Sequence, residues 1–422
     1  MTIVENIALI LNYIMLGIIA LCIILYFIRI IYVFYGFKKL KKEKDVDIYS
    51  SFCVLIPARN ESKVIRNILT SLINQKYDMQ KVDVYVIVED EQDPTVEIVK
   101  EFGFNYYVRP DLENKMTKGW ALDQCVRNIF DQGKVYDSFV IFDADNILQD
   151  DFLLSLNKAR INHQIKVGFG NRQSTNYFKN VISMCSSIMF QMVNIFGNKG
   201  KSRFINKIIL SGTGYFIDYD VIKSAGSFIW HGLCEDTELC IYLYAKGIKC
   251  GYVDEAIFFD EQPTSYKENL KQHTRWVWGN LFADMKQRPL VMKSFLKDKS
   301  DRLAKMDFLV SNVPIGIMII YSFCNAFIQF CVGIAYSIVN KVFLNKYYFI
   351  GLGVVLIFYL IFTIIAFLVV IINRRYLTKA KKRLKVVSCL VFFFYMADFV
   401  TGFVFGLSKK NRTWKEIRHS GK

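Results

Sequence analysis

The sequence predicts an α/β domain, doubly wound about a parallel sheet and inserted between transmembrane α-helices. Two observations carry this. Long apolar segments flank a charged, mixed stretch that runs from about Asp45 to Gln287. Within that stretch, short runs of buried-strand character alternate with segments of helical period, the pattern of a sheet covered on both faces.

Taken in order, Asn6 to Gly36 is almost wholly apolar and long enough to span a bilayer. No basic residue precedes it, whereas Lys38, Lys39, Lys41, Lys42 and Lys44 follow. That order is inverted for a secretory signal and predicts a retained anchor, with the following domain on the cytoplasmic side of the plasma membrane. Phe52–Ile56 is a continuous apolar run ended by Pro57, which suits a strand buried on both faces. Val64, Ile65, Ile68, Leu69, Leu72 and Ile73 follow at helical spacing. Val84–Val88 and Phe139–Phe142 read as further buried strands, with helices near Thr95–Phe102 and Thr117–Phe130 between them. Ligands of such sheets bind outside the carboxyl ends of the strands. Segments near Asp307–Asn340, Tyr348–Asn373 and Val386–Leu407 are long and apolar. The division expected is an anchor over 1–37, a domain over 45–287, an interfacial amphipathic segment over 288–306, transmembrane or re-entrant helices over 307–407, and a basic tail over 408–422.

The chain is 53% hydrophobic over 422 residues, too apolar for an ordinary soluble protein. Its net charge of +16 invites a nucleic-acid reading, but the cations sit in juxtamembrane clusters. One cluster follows the first apolar segment; another is Arg374, Arg375, Lys379, Lys381, Lys382, Arg383 and Lys385; a third is Lys409, Lys410, Arg412, Lys415 and Arg418. Such clusters meet anionic lipid, so membrane lipids are expected partners and nucleic acid is not. Three C-terminal crossings would put the tail outside, against the positive-inside rule, so the last segment, which carries Asp398, is read as re-entrant or interfacial. The domain cysteines form no C-x-x-C pair and no zinc pattern, and read as reduced structural thiols.

Four motifs carry chemistry. Glu89-Asp90 ends the second strand, where a carboxylate can accept from a nucleobase or ribose; the competing reading is a helix-capping cluster, for which Asp93 before Pro94 is well suited. Asp143-Ala144-Asp145 follows a buried strand. Two carboxylates at i and i+2 on extended backbone point the same way and can hold Mg²⁺ or Mn²⁺; a polar turn is the alternative. Glu235-Asp236 opens a helical stretch through Tyr244, as a cap and dipole partner or as a general base. Gln272, Arg275 and Trp276 stand at i, i+3 and i+4 on one helical face, offering an amide, a guanidinium and an aromatic plate.

In that order, beside a membrane, the motifs resemble the processive, membrane-embedded branch of glycosyltransferase family 2, which includes cellulose, hyaluronan and poly-N-acetylglucosamine synthases. Pro57-Ala58-Arg59-Asn60-Glu61 is similar to the family's P-x-x-N-E, and Lys118-Gly119-Trp120-Ala121-Leu122 to its K-x-x-A-L. Ser211-Gly212-Thr213-Gly214 looks like the loop lining the acceptor, and Trp414–Arg418 like the tail of hyaluronan synthases with one extra residue. The resemblance implies a glycosyltransferase-A-like domain with a UDP-sugar donor and a polysaccharide acceptor, and leaves room for accessory secretion subunits. It implies that Asp90 contacts uracil, with Pro57, Glu61 and Lys118 beside the nucleotide. Asp143 and Asp145 would hold the metal, Asp236 would be the base with Glu235 beside it, and Arg275 would stabilise departing UDP. Gln272 and Trp276 would shape the acceptor site. Departures are Glu89 for the usual first Asp, Cys234 where relatives carry Thr, and Asp123 for the Asn common after A-L.

Two other readings stand beside polymer synthesis. One is a non-processive enzyme adding sugar to a membrane lipid. The other is a transporter or receptor that only binds a nucleotide-sugar, which would have no need of Asp236. Trp276, Trp230 and Trp414 point to a polymer, because aromatic plates let a sugar chain slide; an interfacial aromatic belt is the alternative.

Overall fold

The computed structural model describes residues 3–37, 43–113, 115–310, 313–343 and 345–408. Lys38 to Lys42 of the first basic cluster, and the Trp414–Arg418 motif with the third cluster, lie outside the described residues.

Eight strands form one sheet: β1 (Phe52–Pro57), β2 (Val82–Val88), β3 (Asn105–Val108), β4 (Ser138–Ile141), β5 (Ile147–Leu148), β6 (Val167–Ser174), β7 (Tyr215–Asp218) and β8 (Cys250–Asp260). Their order is β3-β2-β1-β4-β7-β6-β8-β5. The first four are parallel, as expected, with Phe52 opposite Val82 and Ser138. The other half departs from the all-parallel expectation. β7 runs antiparallel to both β4 and β6, and β5 antiparallel to β8, so the sheet is mixed. The reason is local: the chain turns back across the strand ends at Ser211–Gly214, where Gly214 N–H donates to Ile141 O (2.8 Å), and enters β7 from the opposite end.

After the N-terminal helix α1 (Ile3–Phe37), the sheet is covered by α2 (Ile65–Ile73), α3 (Pro94–Glu101), α4 (Lys118–Asp131) and α5 (Phe152–His163). One apolar core joins these helices to the sheet through Ile68, Leu72, Val99, Leu122, Val126 and Leu156, all buried. Asp93 caps α3, its carboxylate accepting from Thr95 N–H (2.8 Å), and also accepts from Asn60 N–H (3.0 Å), which ties down the Pro57–Glu61 turn.

The chain then forms α6 (Val181–Met192), a π-helical segment (Val193–Lys199) and α7 (Gly200–Ile205). Together, Val181–Ile205 is one of four described helices long and apolar enough to cross a membrane, a length the sequence reading did not single out. Most of it is buried, because α1 and the C-terminal helices pack over it. α8 (Tyr219–Ala225) and α9 (Glu235–Ala245) precede α10 (Tyr266–Lys297), a single helix of 32 residues. α11 (Arg302–Val310), α12 (Val313–Asn340), α13 (Lys346–Ile372) and α14 (Lys382–Phe405) complete the chain. The other three membrane-length apolar helices are Tyr321–Asn340, Lys346–Ile372 and Lys382–Phe405.

α14 lies along α10 and α6. Its acid is accounted for by that packing: Asp398 accepts from Tyr266 OH (2.9 Å) and Asn269 Nδ2 (3.4 Å), both on α10. A carboxylate in an apolar helix is retained where it meets polar partners away from lipid. Gly402 allows the close approach, since a Cβ there would stand 3.0 Å from Thr274 N. The helix that carries the Q-x-x-R-W face is thereby braced against an apolar helix.

Candidate active site

The strand ends of the parallel half open into a cleft of about 260 Å³. One wall is the Pro57–Glu61 turn after β1, and the floor is Asp143–Asp145 after β4. The opposite wall is Ser211-Gly212 with Cys234–Asp236, and the α10 face Gln272–Trp276 closes the far end. Pro57, Glu61, Lys118, Asp143, Asp145, Glu235, Asp236, Gln272, Arg275 and Trp276 all line it, so one chamber holds every expected residue but Asp90.

β4 stops at Ile141, and Asp143–Asn146 is a turn, not the extended backbone expected: Asn146 N–H donates to Asp143 O (3.2 Å). Asn146 donates to Asp145 Oδ1 (3.2 Å), Asp143 N–H donates to Thr213 Oγ1 (2.8 Å), and Glu261 N–H donates to Asp145 Oδ2 (3.4 Å). Both carboxylates are half-buried and face the cleft. Among the described residues, no group of three or more His, Cys, Asp or Glu could hold a metal ion. Two hard oxygen donors beside an open cleft nevertheless fit Mg²⁺ or Mn²⁺, ions that commonly bind through one or two carboxylates plus phosphate and water.

Lys118, the first residue of α4, bridges two walls. Its ammonium pairs with Asp143 and donates to Gly212 O (2.7 Å). Burial disfavours its charge, but Asp143 and Glu235 outweigh that and hold its pKa above the usual lysine value. A Cβ placed on Gly212 would stand 3.7 Å from Asp236 Oδ2 and 3.8 Å from Glu235 Oε1, so the loop that Lys118 holds abuts both acids.

Glu235 is buried and Asp236 half-buried at the start of α9, where the helix N-terminus favours negative charge. Burial first, then the charge of Asp236, pushes Glu235 up to about 7, against the pull of Lys118 and Arg275. Burial also raises Asp236, opposed by the Thr237 N–H (2.7 Å) and by Lys118 and Arg275. The two acids titrate as a pair. Both acids are raised, so a rate that needs the pair unprotonated is expected to fall on the acid side at a pH above the ordinary carboxylate range. Glu235→Gln removes the like charge and should move that acid limb to lower pH, read from pH–rate profiles of both proteins.

Arg275 faces the cleft and makes no ion pair among the described residues. Two buried polar atoms of cleft-lining residues, Ser211 Oγ and Gln272 Oε1, have no hydrogen-bond partner among the described residues. Such groups are costly to leave unsatisfied, so a ligand hydroxyl fits there. Trp276 packs edge-on against Phe190 of α6 (5.8 Å between centroids).

Asp90 is exposed and accepts from Gln92 N–H (2.9 Å), closing its own turn outside the cleft. Glu89 lines the cleft instead, clamped by Arg59 (2.8 Å) and Arg109 (3.1 Å). Trp230 is no plate for a sliding chain: it is 2% exposed, wedged between Phe228 and Tyr242. Trp278 is buried and stacks on Phe403, which is packing.

Other lining residues were not anticipated. Arg172 of β6 donates to Asp260 Oδ2 (2.8 Å) and to Ser211 O (3.1 Å), and lies over the Phe190 ring at 3.7 Å. Asp260-Glu261 ends β8 much as Glu89-Asp90 ends β2, a strand-end acid signal that could have found it.

A sheet of this kind, with its acids gathered at the strand ends beside apolar helices, defines a glycosyltransferase-A-type enzyme. Residues 50–279, more than half of the chain, match the family model described as Glycosyltransferase like family 2, and the chain belongs to that family. It is similar to a probable glycosyltransferase, YdaM, of Bacillus subtilis, with 26% identity over 253 residues, 59% of each protein. It is also similar to poly-β-1,6-N-acetyl-D-glucosamine synthase of Staphylococcus aureus, with 22% identity over 269 residues, 60% of this chain and 63% of the synthase. The chain thus spans about three fifths of the length of these relatives. In fold it is similar to the mannosyltransferase PcManGT of Pyrobaculum calidifontis, solved with GDP-Man and Mn²⁺. The TM-score is 0.56 at 13% identity, covering 96% of this chain and 99% of that one.

Proposed function

We propose that this chain transfers a sugar from a UDP-sugar to a growing β-linked polysaccharide, with inversion, and passes the product through its apolar helices. The observation that carries the reading is a single cleft holding the Asp143/Asp145 and Glu235/Asp236 carboxylates and, among the described residues, a guanidinium with no ion pair and two buried polar atoms without partners.

Asp236 takes the proton of the acceptor hydroxyl as that oxygen attacks the anomeric carbon. The bond from that carbon to the diphosphate oxygen breaks on the opposite face, so an α-linked donor gives a β-linked product. Charge grows on the departing UDP, and Arg275 and Lys118, both lining the cleft, would neutralise it. Asp143 and Asp145 would hold Mg²⁺ or Mn²⁺, which supplies positive charge to the diphosphate when bound. Ser211 and Gln272 would take acceptor hydroxyls, with Trp276 beside them. The nucleoside would lie along the Pro57–Glu61 turn, with Glu89 inside the cleft and Asp90 next to it on the outer side. The name of the Staphylococcus aureus relative supports a polymer as product. The basic clusters support a cytoplasmic catalytic domain at the plasma membrane, in contact with anionic lipid.

Equilibrium binding to the detergent-purified chain tests the donor side. UDP should bind at least about tenfold tighter with Mn²⁺ or Mg²⁺ than in a chelator, a factor worth about 1.4 kcal/mol. Asp143→Asn with Asp145→Asn should abolish that gain. Tighter binding of GDP than of UDP, or affinity indifferent to metal in the unmutated chain, would overturn this part.

A further inference from the structure

The departure at Asp123 has a partner. Asp123 lies on α4, five residues after Lys118, and its carboxylate is buried. It meets His231 Nε2 at 3.0 Å, and its backbone carbonyl accepts from Ser227 Oγ (3.5 Å). Burial works against its charge, yet hydrogen bonds from His231 and Arg127 hold its pKa below the usual carboxylate value. The His231 ring stacks on Trp120 (3.5 Å between centroids, 14° between planes), with the Lys115 ammonium over the other ring at 5.4 Å. Thr117 stands at the α4 N-cap but donates its hydroxyl to His231 O (2.8 Å) instead of capping the helix. Gly119 completes the contact: a Cβ there would stand 1.9 Å from Trp230 O, so no other residue allows this approach. From the far side, Glu238 of α9 accepts from Gly232 N–H (3.0 Å).

The segment so held, 226–234, leads directly into Glu235-Asp236, while α4 begins at Lys118, which pairs with Asp143. We propose that Asp123 and His231 are positioning residues, locking the segment that carries the acid pair onto the helix that carries Lys118. The distance from base to diphosphate is then set by this lock, a role that rests on the transfer reading above. α4 is anchored in the core by Leu122, Cys125, Val126 and Ile129, and the segment by Phe228 and Trp230 of the same core, so release of the lock frees the stretch from His231 to the acid pair and leaves the donor side in place.

Asp123→Asn, His231→Gln and the double variant, made in the full chain, test this with three readouts. Amide exchange over 231–234 should rise in each variant while α4 stays protected. kcat should fall about tenfold or more in each single variant, as misplacement of a reacting group does. The double variant should fall no further than the worse single one. Donor affinity, measured by UDP binding, should stay within about twofold, a factor worth roughly 0.4 kcal/mol. Unchanged exchange would overturn the lock. Raised exchange with unchanged kcat, losses that multiply in the double variant, or donor affinity falling in step with kcat would overturn the positioning role. Exchange reads the lock without turnover, so failure of the transfer reading, seen as full activity in Asp236→Asn, is distinguishable from failure of this one.

Discussion

Asp236→Asn is expected to lower kcat by about 10³-fold while donor binding is retained, because the side chain keeps its size but can no longer take a proton. The size of the effect follows from the site. Asp236 shares the start of α9 with Glu235, and among the described residues no histidine or cysteine lines the cleft except Cys234. Burial and the charge of Asp236 push that thiol well above its usual value, so it cannot replace the base. Initial rates and UDP titrations on the same preparation separate the two effects. Loss of donor binding together with rate would make Asp236 a binding residue, and full activity would make it neither. A protein that only binds nucleotide-sugar would show no rate to lose.

Arg275→Ala is the second large effect, expected at about 10²- to 10³-fold in kcat, the range for removing one preorganised group aimed at developing charge. Arg275 makes no ion pair among the described residues, so its removal strands no carboxylate, and the fold should be retained. Its field falls on Glu235 and Asp236, lowering both pKa values. The variant should therefore also show its acid limb displaced to higher pH, a second signature that a packing defect would not give. Arg275→Lys keeps the charge but not the planar fork, and should recover only part of the loss. Thermal unfolding of both variants within about 2 °C of the parent, the shift that under 1 kcal/mol gives in a domain of this size, would assign the losses to chemistry.

How much of this was legible depends on what burial does to each segment. β1, β2 and β4 read cleanly because strands covered on both faces are continuous apolar runs, and the acids after β2 and β4 stand out against them. β6 did not. It is buried throughout, yet its second half is Asn171-Arg172-Gln173-Ser174, whose polar groups are satisfied by Asp260, Gln191 and Asn194. A strand built as a hydrogen-bond network carries no apolar period, so Arg172 was invisible. The membrane-length apolar helix at Val181–Ile205 was missed because its polar residues break the hydropathy, and only tertiary packing shows why they are tolerated. Asp90 and Glu89 exchanged places relative to the cleft because side-chain direction at a strand end depends on the turn that follows. Here the turn consumes Asp90 at Gln92, and two arginines draw Glu89 inward. The α10 face read correctly as one surface, since helical spacing is fixed by geometry. That α14 braces it could not be read from either segment alone.

The most direct test of the central claim is nucleotide release by the detergent-purified chain with a panel of UDP-sugars and Mn²⁺ or Mg²⁺, products being sized in the same reaction. UDP release with one donor, accompanied by a long water-soluble polymer sensitive to a β-specific hydrolase, is the result predicted. Release with only a short product that partitions into organic solvent would contradict the polymer claim and identify a glycolipid-forming enzyme. No release with any UDP-sugar, under conditions where UDP binds, would contradict transfer itself.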